Sequence, residues 1–450
     1  MTPAQIQSLI EDRPEARAFR VHRRVFTDPA LFALEMKHIW ERSWLFVGLS
    51  SQVPKPHDFL TTTLGRTAVI VMRDGEGKLG CFINSCRHKG AIVCHLRAGS
   101  SRLHVCRYHG WTYDSSGRNR FIKAREDGAC GPGFEAEDHN LVHVARFESY
   151  RGMLFASLSP DVLPLREYLG DVRALLDLVL DQSPDGIEMV PGVVTYTFDA
   201  NWKLQLENCG DGYHFTSAHA SYLKILEKRA QEPARAGTST IWDDSKPWDS
   251  AEAMLGTFAF ANGHSLVWSS QLSLRGMPLA ERVSEITARV GETRAKWMFT
   301  TRNLTIFPNV QIAENAACQL RIIRPLAVDR TEMTTYCLAP IGESAAARHQ
   351  RIRQYEDFFN PSGLATPDDT VTYEDCQQGY QSEEPEWLQG YYRGIEAVKC
   401  GADRFAEQLG IAPAQSAHGP FDLYDETLFH VNYRAWQRLL LEGLQRESPR

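Results

Sequence analysis

No stretch of this 450-residue chain approaches the roughly 20 consecutive apolar residues that cross a bilayer. The longest apolar runs, such as residues 68–72, are the length of a strand. An excess of positive charge is also missing: Lys and Arg number 49 against 56 Asp and Glu, a net charge of −7. That balance argues against a phosphate-rich partner, because proteins that bind nucleic acid or anionic membranes concentrate basic residues. Where a secretory leader needs an apolar stretch, the N-terminus holds Glu11, Asp12 and Arg13. The chain is therefore expected to be cytoplasmic, with neither nucleic acid nor a membrane as partner. Internal repeats, low-complexity tracts and a Gly-rich phosphate loop are missing too. Without a flavin or nicotinamide fingerprint, any redox chemistry must draw its electrons from a separate protein.

What is present is too long for one ordinary core, so two domains are the expectation. Ten cysteines in a long cytoplasmic chain read as reduced thiols or metal ligands, not as a disulfide framework. Cys81, Cys130, Cys209, Cys318, Cys337, Cys376 and Cys400 are isolated and read as small core residues. Cys86, Cys94 and Cys106 differ, because histidines surround them.

Thr27-Asp28-Pro29 opens a helix, and Phe32, Met36, Ile39 and Trp40 recur along it at helical spacing. From Asp58 the texture changes to short strands: 68–72, a turn at 74–77, then 81–83, with the same pattern continuing to about 158. This reads as a small all-β domain. Beyond Pro164 the spacing predicts a helix over 165–180 and strands at 193–198, 304–307, 318–323 and 333–338. Helices are expected at 389–409 and 430–441. Strands grouped with helices indicate an α+β domain, not alternating βαβ units. Residues 232–250 are polar and include Pro233, Gly237 and Pro247, which predicts a mobile surface loop.

Cys86-Arg87-His88 is followed, after seventeen residues, by Cys106-Arg107-Tyr108-His109, giving C-x-H-x17-C-x2-H. Two thiolates and two imidazoles can hold zinc. Zinc sites, however, usually pair like ligands within each knuckle, whereas here each loop supplies one Cys and one His. That mixed supply suits a [2Fe–2S] cluster with cysteines on one iron and histidines on the other. Cys94, His95 and His104 fall outside the spacing and read as structural or exposed. At C-R-H-K-G-A and C-R-Y-H-G-W the chain resembles the Rieske proteins, with Lys89 where many relatives have Arg.

A second constellation runs from Trp202 to His219. On a continuous helix Glu207, Asp211 and His214 would share one face. A plain solvent face is the simpler account of such a stripe, but Gly210 and Gly212 suit a distorted backbone or a close approach better than an exposed helix. His214 and His219 lie five positions apart, so both can reach one metal only if the helix bends or ends between them. Two histidines and a carboxylate form the triad of non-haem Fe(II) oxygenases, with open positions for dioxygen. Thr366-Pro367-Asp368-Asp369 reads, by itself, as a helix start.

The string E-N-x2-D-x-Y-H-x4-H resembles the Rieske oxygenase large subunits, and the chain looks closest to their benzoate, anthranilate and 2-halobenzoate dioxygenase group. The stretches 181–186 (D-Q-S-P-D-G) and 145–152 (A-R-F-E-S-Y-R-G) carry the same likeness. The resemblance implies N-terminal helices over 1–45 packing on the catalytic domain, an all-β Rieske domain over 46–160, and a catalytic domain over 161–450. In the last, helices cover an antiparallel sheet in a helix-grip, START-like arrangement. It implies a [2Fe–2S] cluster on Cys86, His88, Cys106 and His109, and Fe(II) on His214, His219 and Asp369, with Asp368 as helix cap. Asp211 would bridge the two centres between neighbouring chains of a head-to-tail homotrimer, with Asn208 as a polar neighbour of the iron. The implied reaction consumes O2 and NADH-derived electrons, delivered by a reductase or ferredoxin, to form a cis-diol on an aromatic carboxylate. A small β subunit, completing an α3β3 assembly, accompanies the nearest group.

Phe215, Leu223 and Phe359 are the expected pocket walls. Arg321 and Arg324 are the basic residues available to a substrate carboxylate, although a strand position reads more simply as surface charge. Three rivals stand beside this reading: a Rieske monooxygenase, an electron-transfer ferredoxin with an extension, and a zinc-binding scaffold.

Overall fold

The computed structural model describes residues 1–128, 130–230, 254–269, 276–315, 317–420 and 424–447. The segment expected to be a mobile loop, 232–250, lies outside them. The chain forms two compact units: Met36–Tyr168, and Met1–Glu35 together with Leu169–Arg450. These divisions fall at 35/36 and 168/169, beside the 45/46 and 160/161 expected from the sequence.

The smaller unit is built of short antiparallel strands. One four-stranded sheet pairs Asp58–Leu64 with both Thr67–Arg73 and Ala98–Ser100, and Thr67–Arg73 in turn with Leu79–Ile83. Two three-stranded sheets complete it, one of them holding Leu103–Val105, Thr112–Asp114 and Asn119–Phe121. The apolar run at 68–72 becomes a central strand, and Val69, Ile70, Val71 and Met72 are all buried. Burying such residues contributes about 1.5–3 kcal/mol each.

In the larger unit the N-terminal segment is not purely helical. Ile10–Arg13 and Ala18–His22 form a hairpin extended by Trp387–Leu388. Asp28 accepts the amides of Ala30 and Leu31 at 2.9 and 3.3 Å, so the helix Pro29–Glu35 starts where the capping pattern indicates. The core is a ten-stranded antiparallel sheet. Its centre is a meander of Met254–Ala259, Ser265–Ser269, Thr301–Ile306, Val310–Glu314, Cys318–Ala327 and Arg330–Pro340. The last hairpin bulges between Pro325 and Ala327, next to a residue that cannot donate to the ladder.

The helices Trp202–Asn208, Ala345–Phe358 and Thr366–Gly379 pack against these strands. The α+β class holds in this unit and the all-β class in the other. The helix expected over 389–409 forms only at its end, Arg404–Leu409. Ahead of it Trp387–Leu388 and Lys399–Cys400 pair as strands. At Gly394 a Cβ would lie 2.3 Å from Asp425 Oδ1, a closeness that leaves no room for a helix of side chains. Among the described residues, no helix is long and apolar enough to cross a membrane.

Candidate metal centres and active site

In the smaller unit two loops of one design carry the C-x-H and C-x2-H motifs. The Cys86 amide donates to the Ala91 carbonyl at 2.8 Å, and the Gly90 amide to the Cys86 carbonyl at 2.9 Å. Cys106, Trp111 and Gly110 repeat both bonds at the same lengths, and both glycines have φ of 75°. The loops turn the cysteines inward, 3% and 2% exposed, while His88 is exposed and His109 half-buried. The two imidazoles meet at a ring separation of 4.4 Å, and His88 stacks on Trp111 at 5.1 Å. The Tyr113 hydroxyl lies 3.2 Å from Cys86 Sγ and accepts the Arg87 amide at 3.1 Å.

Burial pushes the Cys86 thiol up, since the low-dielectric interior disfavours thiolate; a bound metal reverses that preference. Nδ1 of His109 is buried without a hydrogen-bond partner among the described residues. An orphaned nitrogen of that kind is costly, and a metal bond would satisfy it. Inward thiols and outward imidazoles thus fit a cluster ligated by cysteine at one iron and histidine at the other. Cys94 does not join them: its amide and carbonyl are held by Asn84. His104 packs edge-on against Phe59 in the core.

In the larger unit the helix Trp202–Asn208 begins at Asn201, whose side chain accepts the Lys203 amide. It stops before Gly210, where a Cβ would lie 2.6 Å from Leu428 Cδ1. Glu207, Asp211 and His214 therefore do not share a helical face. Glu207 is apart from the other two, accepting the hydroxyls of Tyr391 at 3.1 Å and of Tyr433. His214 and His219 flank the single turn Phe215–Ala218 as its N-cap and C-cap. This break lets both rings reach one point. Asp369 meets them from the first turn of Thr366–Gly379.

Nε2 of His214 and Nε2 of His219 lie 3.3 and 3.2 Å from the same Asp369 Oδ1. The ligand atoms of these three residues all fall within 4.8 Å of one another. Each far nitrogen faces an acid at 3.3 Å: Asp211 Oδ2 behind His214 and Asp368 Oδ2 behind His219. Carboxylates so placed orient imidazoles and raise their basicity. The expectation that Asp368 caps the helix fails, because Ala365 is the N-cap and Asp368 turns to His219. Asn208 Nδ2 lies 3.2 Å from His214 Nε2 and 3.1 Å from Asp369 Oδ1.

Burial opposes a charge on His214, yet the hydrogen bonds and charges of Asp211 and Asp369 raise it to about 10. Burial likewise opposes charge on Asp369, while bonds to both histidines hold it far below the usual carboxylate range. A positive charge at their meeting point is therefore favoured, and two imidazoles with one carboxylate are the donor set of the Fe(II) triad.

A cavity of about 110 Å³ opens onto these three residues. Its walls include Phe215, Leu255, Val267, Trp268 and Phe358, with Asn303, Asn315 and Arg321 among the polar lining. Of the expected walls, Phe215 lines the cavity, whereas Leu223 and Phe359 do not. Phe358 takes that place; Phe359 is fully buried, its ring 5.4 Å from the Arg321 guanidinium. Arg324 is a surface charge paired with Glu332 at 3.0 Å. The reading of Arg321 as another surface charge is overturned, because it is 8% exposed and faces the cavity. Phe358 and Trp268 went unnoticed in the sequence, where nothing separates a cavity wall from a core residue.

Residues 43–132 match the Rieske [2Fe-2S] domain, and residues 189–440 match the ring hydroxylating alpha subunit (catalytic domain). The chain thus belongs to the ring-hydroxylating dioxygenase alpha subunits, oxidoreductases that incorporate O2, and carries a Rieske cluster and a mononuclear iron. It is 39% identical to the toluate 1,2-dioxygenase subunit alpha of Pseudomonas putida, covering 99% of this chain and 96% of that one. It is also 39% identical to the 2-halobenzoate 1,2-dioxygenase large subunit of Burkholderia cepacia, over 98% and 94%. In structure it resembles naphthalene 1,2-dioxygenase from Rhodococcus sp. with a TM-score of 0.79 over 96% and 95% of the chains. That likeness, at 24% identity, concerns the fold.

Proposed function

We propose that this chain is the terminal oxygenase subunit that cis-dihydroxylates an aromatic carboxylate of the benzoate, anthranilate or 2-halobenzoate type. The observation that carries the reading is full-length similarity to two subunits whose names specify toluate and 2-halobenzoate, both ring carboxylates. The balanced reaction takes the arene, O2, NADH and a proton to a cis-diol and NAD+. Electrons come from a separate reductase, directly or through a ferredoxin.

Cys86, His88, Cys106 and His109 would hold the cluster; His214, His219 and Asp369 would hold the iron. Bound there, these groups supply single electrons and O2 activation. The chain's own side chains do the rest. Asp211 and Asp368 keep the imidazoles aligned from behind, and Asn208 sets a polar contact beside Asp369. Phe215, Phe358 and Trp268 hold the ring and exclude water.

In a head-to-tail homotrimer, Asp211 would also reach a cluster histidine of the neighbouring chain. A small β subunit would complete an α3β3 assembly, and the complex would work in the cytoplasm. Turnover of benzoate under 18O2 with NADH and a reductase tests the reaction: two labelled atoms in a cis-diol are expected. One labelled atom in a phenol would make the enzyme a monooxygenase.

A further inference from the structure

Arg321 sits on the strand Cys318–Ala327, in the half of the strand that is buried on both faces. Most other buried cations of this unit are neutralised by an acid, and Arg23 instead donates to the carbonyls of Gly379 and Ser382 at 3.3 and 2.7 Å. Lys203 pairs with Glu35 at 2.6 Å, Arg351 with Glu343 at 2.9 Å, and Arg302 with Glu314. Arg321 forms no ion pair among the described residues, although it is as buried as surface residues rarely are. Among the described residues its one side-chain hydrogen bond runs from Nε to Gln319 Oε1 at 2.6 Å.

That bond is itself fixed from behind. Gln319 Nε2 donates to Asn360 Oδ1 at 3.2 Å, and Asn360 Oδ1 accepts the Thr335 hydroxyl at 2.8 Å. These bonds position the amide and, through it, the guanidinium, which lies over the Phe359 ring. Nε is engaged, which leaves the two terminal amino groups as the free fork. Paired donors on a planar fork match the two oxygens of a carboxylate. Since Arg321 and Asp369 line the same cavity, an anion on the fork would hang its ring toward the two histidines.

We propose that Arg321 is the substrate-carboxylate anchor, receiving the two oxygens end-on and setting which ring carbons face the iron site. Gln319 is the positioning residue behind it. The proposal rests on the carboxylate reading above and specifies its recognition. A buried cation awaiting its counter-ion discriminates strongly, because a neutral substrate leaves both the charge and the fork unsatisfied.

The test compares wild type, Arg321→Gln and Arg321→Lys on benzoate and on toluene, with binding of labelled benzoate measured by equilibrium dialysis in the absence of reductant. Cluster absorption and the thermal midpoint report folding. For Arg321→Gln, kcat/KM and affinity for benzoate should fall about a hundredfold, the scale of a lost charge-assisted fork, with toluene turnover kept or raised. Arg321→Lys should keep the charge, recover part of the affinity and yield a mixture of diol positions. Benzoate affinity within threefold of wild type in a folded Arg321→Gln protein would overturn the anchor while leaving the substrate class intact. A wild-type enzyme that binds toluene and ignores benzoate would overturn the substrate class itself. If Arg321→Gln fails to fold, an Arg321→Lys protein with wild-type affinity and a single diol would overturn the anchor.

Discussion

Glu35 should be among the costliest single residues to alter outside the metal ligands. Its carboxylate accepts Lys203 Nζ at 2.6 Å, Trp202 Nε1 at 2.8 Å and Trp436 Nε1 at 2.7 Å. Both Glu35 and Lys203 side chains are 1% exposed. Burial pulls the Lys203 ammonium down and the Glu35 charge opposes that pull, so the pair is one mutually dependent unit. Glu35→Gln keeps the size and one acceptor but strips the charge. A buried ammonium left without its counter-charge costs about 3–5 kcal/mol, and a lost hydrogen bond to a charged group alone accounts for about 1.5–3 kcal/mol.

Taking about 3 kcal/mol, and an unfolding entropy of about 2.1 cal/mol/K per residue, the midpoint of the larger unit, residues 1–35 and 169–450, should drop by roughly 5 °C. Calorimetry reads that transition, with iron content measured on the same sample, because the helix Trp202–Asn208 leads directly to Asn208. The double variant Glu35→Leu, Lys203→Met should recover most of the loss, since apolar replacements of both partners remove the unpaired charge. A Glu35→Gln protein within 1 kcal/mol of wild type, or a double variant worse than either single one, would refute the reasoning.

Asp211→Asn keeps an oxygen for the Tyr213 amide, bonded at 2.7 Å, but removes the charge behind His214. Iron and sulfide counts should stay at wild-type levels while product formation slows by about 10–100-fold or more; normal turnover would exclude the bridging role. Asp369→Ala should remove the mononuclear iron and leave acid-labile sulfide unchanged, because the two ligand sets lie in different units; a parallel loss of sulfide would contradict that separation. Burial pushes Glu207 up to about 7 from the ordinary 4.5. The folded chain then keeps a proton that the unfolded chain releases, so this stabilisation is complete below pH 4.5 and is lost as pH rises through 7. The gap amounts to about 3 kcal/mol. Glu426, also raised to about 7 by burial and by the acids Asp211 and Glu207, shares the window. Urea midpoints should therefore fall between about pH 4.5 and 7, and Glu207→Gln should flatten the slope by about half; an unchanged slope would show that Glu207 ionises normally.

The two metal motifs were legible because ligand chemistry restricts residue type and spacing, and short loops preserve both. The strands around 68–72 and 318–338 were legible because apolar periodicity survives folding. Asp368 and Asp369 could not be told apart in sequence, since adjacency carries no direction; only the turn of their helix sends one to the centre and the other to the back of His219. Phe358 and Phe359 fail for the same reason. Arg321 was misjudged because alternation along a strand identifies a second face without saying what covers it, and here that face is enclosed. At 389–409 the local composition suggested helix, and the packing of Gly394 against Asp425 overrode it.

The order in which the ligands occur along the chain has a consequence during synthesis. The four groups of the cluster fall within residues 86–109, so a ribosome finishes them together. His214 and His219 emerge as neighbours, but their carboxylate partner lies 150 positions after His219. At about 5–20 residues per second that interval lasts roughly 8–30 s. Throughout it, two exposed imidazoles stand without the acid that completes the site, so a nascent chain can hold the iron only weakly. Metallation at this centre is thus tied to synthesis past residue 369, and truncated products ending before Asp369 would lack the second metal.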